Sequence, residues 1–188
     1  MTIDAQKTQL RERARKARMG AMRAGGDEAA RKLKANFTAA MEKMNFPKPG
    51  AAVAGYQAMG SEIDPEPLLS RLRELGYVLG LPAAAEPGCA LKFRAPGRGL
   101  TPLTPRAVLC PLLAFDERGV RLGQGGGHYD RTLMALRKAG ALRKAGALLA
   151  VGLAFDVQRM AEIPREDHDQ RLDWVITEKT AYRCGTQS

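Results

Sequence analysis

The chain has 188 residues, of which 45% are hydrophobic and 27% charged, the profile of a single soluble globular domain, here spanning residues 1–188, with its own core. No stretch nears the roughly 18 consecutive apolar residues of a membrane span, and the charged N-terminus has no signal-peptide centre, so a cytoplasmic protein is expected. Cys89, Cys110 and Cys184 are odd in number and widely spaced, and only His128 and His168 are present, which argues against a disulfide framework, a zinc site and a histidine metal cage alike.

The formal charge of +10 is uneven. Residues 1–34 hold ten basic and four acidic side chains and so carry +6. Such a segment suits nucleic acid, an anionic membrane or a polyanion such as ATP, and composition does not choose among them. A solvated basic helix is the plainest reading.

In chain order, Ala5 to Met22 has Leu10, Ala14, Ala17 and Ala21 at helical spacing and predicts an amphipathic helix that Asp4 can cap. Lys7, Arg11 and Arg18 fall together along the border of its apolar stripe, which points cations toward a cleft edge. A second helix is predicted from Asp27 to Met44, ended by the turn at Pro47, Pro49 and Gly50. Ala51 to Tyr56 reads as a buried strand, Pro67 to Leu75 as a helix, and Tyr77 to Leu81 as the next strand. From Ala83 to Arg106 the chain is Gly- and Pro-rich, with at most a short strand around Leu91 to Phe93. Ala107 to Phe115 is a continuous apolar strand that ends or bends at Pro111. A helix starts near Tyr129, and Ala147 to Phe155 and Trp174 to Thr177 are further strands. The tandem Leu-Arg-Lys-Ala-Gly-Ala at 136–141 and 142–147 reads as a surface duplication. Strands alternating with helices predict an α/β three-layer sandwich, Rossmann-like, with a mainly parallel central sheet and helices on both faces.

The chemistry concentrates between Phe115 and Arg131, where Gly119, Gly123, Gly125, Gly126 and Gly127 join a strand to a helix start. Bare backbone lets N–H groups approach phosphate oxygens, and a helix N-terminus adds positive potential. The pattern is neither a P-loop nor a dinucleotide fingerprint. Arg121 and Arg131 flank it, and Asp130 is placed to hold a metal beside phosphates.

The run Arg121 to Arg131, preceded by Pro111 to Asp116, resembles the signature of the 5-formyltetrahydrofolate cyclo-ligase family, with His128 where an aromatic residue often stands. Lys7 and Arg11 resemble that family's N-terminal Lys/Arg pair, and Tyr56 to Asp64 its tyrosine-to-glutamate segment. Val151 to Phe155, Gln158, Pro164, His168, Asp169, Leu172 and Asp173 resemble its C-terminal part. The resemblance implies cyclisation of 5-formyltetrahydrofolate to 5,10-methenyltetrahydrofolate with conversion of ATP to ADP and phosphate. It further implies ATP held by Lys7, Arg11 and the loop residues Arg121, Leu122, Gly123, Gln124, Gly125, Gly126, Gly127, His128 and Tyr129. Arg121 and Arg131 are the implied catalytic residues, Gln57, Glu62 and Tyr129 meet the folate, and Asp130 and Asp169 hold Mg²⁺. Neither a nucleic-acid nor a membrane partner is implied; the oligomeric state is left open, with a monomer as the default.

Other uses exist for several of these residues. Asp130 also suits a positive helix end, Glu62 a helix N-terminus, Trp174 simple packing, and His168 a loop hydrogen bond. One departure stands out: only Arg94 to Ala107 separates the strands near Phe93 and Val108, without the Trp and Glu-Pro pair that family members place near the folate. That leaves the nucleotide side of the pattern complete and shortens the folate side. A relative that binds without efficient turnover is the alternative, and a nucleic-acid module using the basic helix is a remoter one.

Overall fold

A cap, a kink and a buried stripe shape the first forty residues. In the computed structural model, which describes residues 2–83, 86, 88–95, 102–142 and 147–185, they form α1 (Ile3–Ala40). The cap is Thr2, whose side chain accepts from the Ala5 N–H at 3.4 Å, and not Asp4, which sits in the first turn. Gly25, at φ 156° and ψ 51°, breaks the helical path. Its two halves match the two predicted helices, although the second ends at Ala40 instead of Met44. The first half buries Lys7, Ala14 and Arg18, and the second Ala29, Ala30, Leu33 and Phe37.

The strands are β1 (Ala52–Ala54), β2 (Val78–Pro82), β3 (Phe93–Arg94), β4 (Ala107–Pro111), β5 (Ala114–Phe115), β6 (Arg121–Leu122), β7 (Leu149–Leu153), β8 (Trp174–Ile176) and β9 (Ala181–Arg183). Helices α2 (Glu66–Glu74) and α3 (His128–Leu142) complete the set with a 3₁₀ turn at Asp156–Gln158. Seven strands form one sheet in the order β3-β2-β1-β4-β7-β8-β9. The five central strands are parallel, and the short edges β3 and β9 are antiparallel.

Residues of successive parity in the strands feed two separate cores, as a period of two requires. Val53, Leu109, Val151, Leu153 and Ile176 pack with Leu33, Phe37, Leu68, Leu69 and Leu72 from α1 and α2. Ala54, Val108, Cys110, Ala150 and Val175 pack on the other face with Leu133 of α3 and with Phe93 and Leu172. Helices thus cover both faces of a mainly parallel sheet, the three-layer α/β fold expected from the strand and helix pattern.

Two elements depart from the local reading. The apolar run 107–115 is not one strand: β4 stops at Pro111, which lacks an N–H for the ladder, and Leu113 donates instead to the Leu122 carbonyl at 2.7 Å. This opens the β5–β6 hairpin, on which Ala14 and Leu10 of α1 pack. The predicted loop therefore contains a strand, β6. The second copy of the tandem hexapeptide lies largely outside the described residues.

Asp116 organises the hairpin turn, accepting from the N–H groups of Arg118, Val120 and Ile163 at 3.0–3.1 Å. Gly119 within it has φ +79°, and a Cβ there would meet the Leu172 carbonyl oxygen at 2.4 Å. Gly119→Ala is therefore expected to destabilise the protein by about 1–3 kcal/mol through left-handed strain alone, with the clash adding to it. Gly20→Ala, in an open helical position, is expected to be neutral or stabilising by up to about 1 kcal/mol. Chemical denaturation of the two variants tests the pair; equal effects would refute the strain argument.

Candidate functional site

Strands β2, β1 and β4 lie side by side, so the chain leaves β1 toward one side and later returns on the other. In parallel sheets such a reversal leaves a crevice beyond the carboxyl ends of the strands. A cavity of about 430 Å³ occupies that place, lined by Tyr56 and Gln57 after β1, Pro82 at the end of β2, and Pro111 and Leu112 at the end of β4. Its volume lies in the range of small-molecule sites.

One end of the cavity is built by the glycine loop, Gly123 to Gly127, and by the first half of α1. Gly125 and Gly127 have φ of +107° and +64°, conformations that side chains oppose, so backbone faces the space. Arg11 donates from Nε to the Gly123 carbonyl at 3.2 Å, and Arg15 donates to the Gln124 side chain at 3.1 and 3.3 Å. Helix α1 is thereby bolted to the loop. Arg121 leaves the end of the hairpin and pairs with Asp130 at 2.9 Å while donating to the Gln170 carbonyl at 2.6 Å.

Beside this end, the Lys7 ammonium lies 2.8 Å from Glu166 and 2.6 Å from Asp169. Burial depresses the lysine pKa, but hydrogen bonds to Asp169 and Glu166 outweigh it and the net shift is upward. Burial likewise raises the Asp169 pKa, yet the Glu166 N–H and Lys7 outweigh that and hold it below the ordinary carboxylate value. Ligand atoms of Glu166, His168 and Asp169 all lie within 4.8 Å of one another. Two carboxylates already gripping a cation form an oxygen-rich set that fits a hard divalent ion.

Elsewhere the lining is more apolar, with Tyr56, Met59, Leu91 and Tyr129, and Tyr56, Met59 and Tyr129 lie near the Glu62 carboxylate. Tyr56 is buried and donates to the Ile63 carbonyl at 2.8 Å. Burial pushes both tyrosine hydroxyls well above their ordinary pKa, so they stay neutral. Glu62 accepts from the Met59 N–H at 3.0 Å and lies 3.6 Å from the Arg18 guanidinium. Burial raises its pKa, only partly offset by the Met59 N–H and by Arg18.

The cavity thus gathers Lys7, Arg11, Gln57, Glu62, every residue from Arg121 to Asp130, and Asp169. Arg131 is the exception. It does not line the cavity; its Nη2 donates to the Gly126 carbonyl, and a Cβ on Gly127 would lie 2.6 Å from its Nη1. Its guanidinium thus braces the loop backbone at Gly126 and Gly127. Asp130, expected to hold a metal with Asp169, is engaged by Arg121 and by the Gln170 N–H at 2.9 Å. Asp169 instead clusters with Glu166 and His168. Local reading missed Glu166, Met59 and Leu91 as cavity residues and left Arg18 without a role; its place on the Lys7–Arg11 face was the available signal. Trp174 packs on the core beneath α1. Six of the residues that shorten the folate-side segment, 96–101, lie outside the described residues, as do three others, 84, 85 and 87, of the preceding loop.

Comparison with known proteins bears directly on this arrangement. Residues 100–178 match the family model described as the 5-formyltetrahydrofolate cyclo-ligase family. The chain is 33% identical over 163 residues to the 5-formyltetrahydrofolate cyclo-ligase of Escherichia coli K12, covering 74% of this chain and 85% of that one. It is 32% identical over 154 residues to the enzyme of the same name from Mycolicibacterium smegmatis, covering 69% and 75%. In fold it is similar to the 5,10-methenyltetrahydrofolate synthetase structures from Mycoplasma pneumoniae, at TM-score 0.70 and 21% identity over 92% of this chain and 98% of that one, and from Aquifex aeolicus, at 0.71 and 24% over 97% and 94%. With the identity to the Escherichia coli enzyme spread over three quarters of its length, the chain belongs to the 5-formyltetrahydrofolate cyclo-ligase family of enzymes.

Proposed function

We propose that this single domain converts 5-formyltetrahydrofolate to 5,10-methenyltetrahydrofolate while ATP becomes ADP and phosphate. The observation that carries the reading is one cavity with two chemically different ends: a cationic glycine loop and an aromatic pocket holding one carboxylate. A triphosphate suits the first and a reduced pterin the second.

In the proposed reaction the formyl oxygen attacks the γ-phosphorus and ADP leaves. N10 then attacks the formyl carbon, phosphate departs, and N10 loses its proton. Both steps need alignment and neutralisation of charge more than a strong base. Arg11 and the loop N–H groups would bind phosphate oxygens, and Arg121, held by Asp130, would oppose the charge that develops on the transferred group. The Glu62 carboxylate would accept from the adjacent N–H donors of the aminopyrimidinone ring, with Tyr56, Tyr129 and Leu91 excluding water around it. Asp169 and Glu166 would hold Mg²⁺, which supplies neutralisation of phosphate charge when bound. Lys7, whose ammonium lies beside these carboxylates and lines the same cavity, would bind a phosphate oxygen.

The basic face of α1 favours an anionic small molecule over a nucleic acid in this reading, because Lys7, Arg11 and Arg18 all line the cavity and two of them, Lys7 and Arg18, are buried. No helix of the described residues is long and apolar enough to cross a membrane.

The direct test is the absorbance of the methenyl product on adding 5-formyltetrahydrofolate to the protein with Mg-ATP; no product at any substrate level would overturn the proposal. Arg11→Ala is expected to weaken ATP about 10- to 100-fold by removing a charged hydrogen bond, read by calorimetric titration; unchanged affinity would remove α1 from the nucleotide end. Asp169→Asn is expected to raise the Mg²⁺ concentration for half-maximal rate more than Asp130→Asn does, since Asp130 is already paired. The opposite order would restore Asp130 as the principal metal ligand.

A further inference from the structure

We propose that Arg18 is a positioning residue that fixes the orientation and the charge of the Glu62 carboxylate at the substrate end of the cavity. It rests on the reading of Glu62 as a substrate contact.

Arg18 is 4% exposed, and a cation so buried needs defined partners. Its Nε donates to the Ser61 hydroxyl at 3.1 Å and its Nη1 to the Leu112 carbonyl at 3.2 Å. The same carbonyl accepts from Gln158 Nε2 at 2.8 Å. The guanidinium is therefore pinned between the segment after β1, which carries Ser61 and Glu62, and the turn after β4. Glu62 Oε1 lies 3.6 Å from Nη1, close enough for attraction and too long for a hydrogen bond. The carboxylate keeps its remaining acceptor capacity for a ligand.

The other groups near Glu62 supply no compensating charge. Tyr56, on its own segment, and Tyr129, from α3, stay neutral because burial raises both hydroxyls. Asp64 is exposed and accepts from the Glu66 N–H. Among the described residues, Arg18 is the cation that faces Glu62; with the Met59 N–H it opposes burial, which pushes this carboxyl toward its neutral form. A neutral carboxylic acid would present a hydroxyl where the ring N–H donors of a pterin need an acceptor.

Removing the guanidinium raises the Glu62 pKa further, so the substrate contact weakens most at low pH and recovers as rising pH ionises the group. A purely structural role would weaken binding equally at every pH.

The test compares the wild type with Arg18→Met, which keeps much of the side-chain length without the charge, with Arg18→Lys, and with Ser61→Ala, a milder change that loosens the guanidinium. The Glu62 carboxyl is titrated by ¹³C NMR in the unliganded protein and assigned by its loss in Glu62→Gln. The affinity for 5-formyltetrahydrofolate is measured from pH 6 to pH 8. For Arg18→Met the expected result is an upward-shifted carboxyl titration and a loss of roughly tenfold or more in substrate affinity at pH 6. That loss narrows toward pH 8, ATP affinity is unchanged, and Arg18→Lys restores the wild-type pH profile. An unmoved Glu62 titration in both Arg18→Met and Ser61→Ala, or a loss of affinity independent of pH, would overturn the proposal. If the titration moves but Glu62→Gln binds the substrate as well as the wild type, the coupling of Arg18 to Glu62 stands and the assignment of Glu62 to the substrate fails.

Discussion

Burial of two cations, Lys7 and Arg18, on the face of one helix that also carries Arg11 is the constraint from which the site follows. Lys7 and Arg18 are almost fully enclosed, and a lysine or arginine taken out of water costs several kcal/mol unless paired and hydrogen-bonded. Their partners come from far along the chain: Lys7 reaches Glu166 and Asp169, 159 and 162 residues away, and Arg18 reaches Ser61 and Leu112. Helix α1 can dock in only one register that satisfies all of them. Such pairs add little net stability, because desolvation cancels much of the attraction; their consequence here is placement. They bring the glycine loop, the segment after β1 and the segment 166–170 to one crevice.

The crevice itself is a property of the sheet. Strand β1 is flanked by β2 and β4, and the chain segments that continue these strands diverge above it. Small buried residues keep the sheet flat enough to receive the layers: Gly152 in β7 has Leu112 and Leu172 side-chain carbons 2.7 Å from where a Cβ would stand. The segment ending at Leu172 is thus held against the sheet, with Arg121 and Arg137 donating to the Gln170 and Arg171 carbonyls at 2.6 and 2.8 Å. The carboxylates that meet Lys7 lie on the same strap. Packing under the strap and charge above it are one structural unit.

The two ends of the cavity differ in the source of their polarity. At the loop end, backbone and guanidinium groups provide donors, and the glycine conformations keep side chains out of the way. At the other end, two neutral phenols and aliphatic groups lower the local dielectric around the Glu62 carboxylate, so its charge depends on the Met59 N–H and on Arg18. The buried Cys110 thiol below Tyr129 belongs to this apolar floor; burial pushes its pKa up to about 12, which leaves it protonated and inert.

Features governed by a few neighbouring residues were legible in the amino-acid sequence. These include the glycine loop between strand and helix, the shared face of Lys7, Arg11 and Arg18, the break near Gly25, the central parallel strands and the three-layer class. Helical periodicity and turn chemistry act over three or four residues, so they survive without tertiary knowledge. Strands β6 and β9 were not legible, since elements of two and three residues exist only through their partners' hydrogen bonds. The same holds for the split of the 107–115 run and for the turning of Arg131 onto the loop backbone. The engagement of Asp130 by Arg121, the grouping of Asp169 with Glu166 and His168, and the pinning of Arg18 beside Glu62 were decided only by the tertiary structure. Charge pairing in a buried site depends on distance and desolvation, and both are set by the docking of segments far apart in the chain.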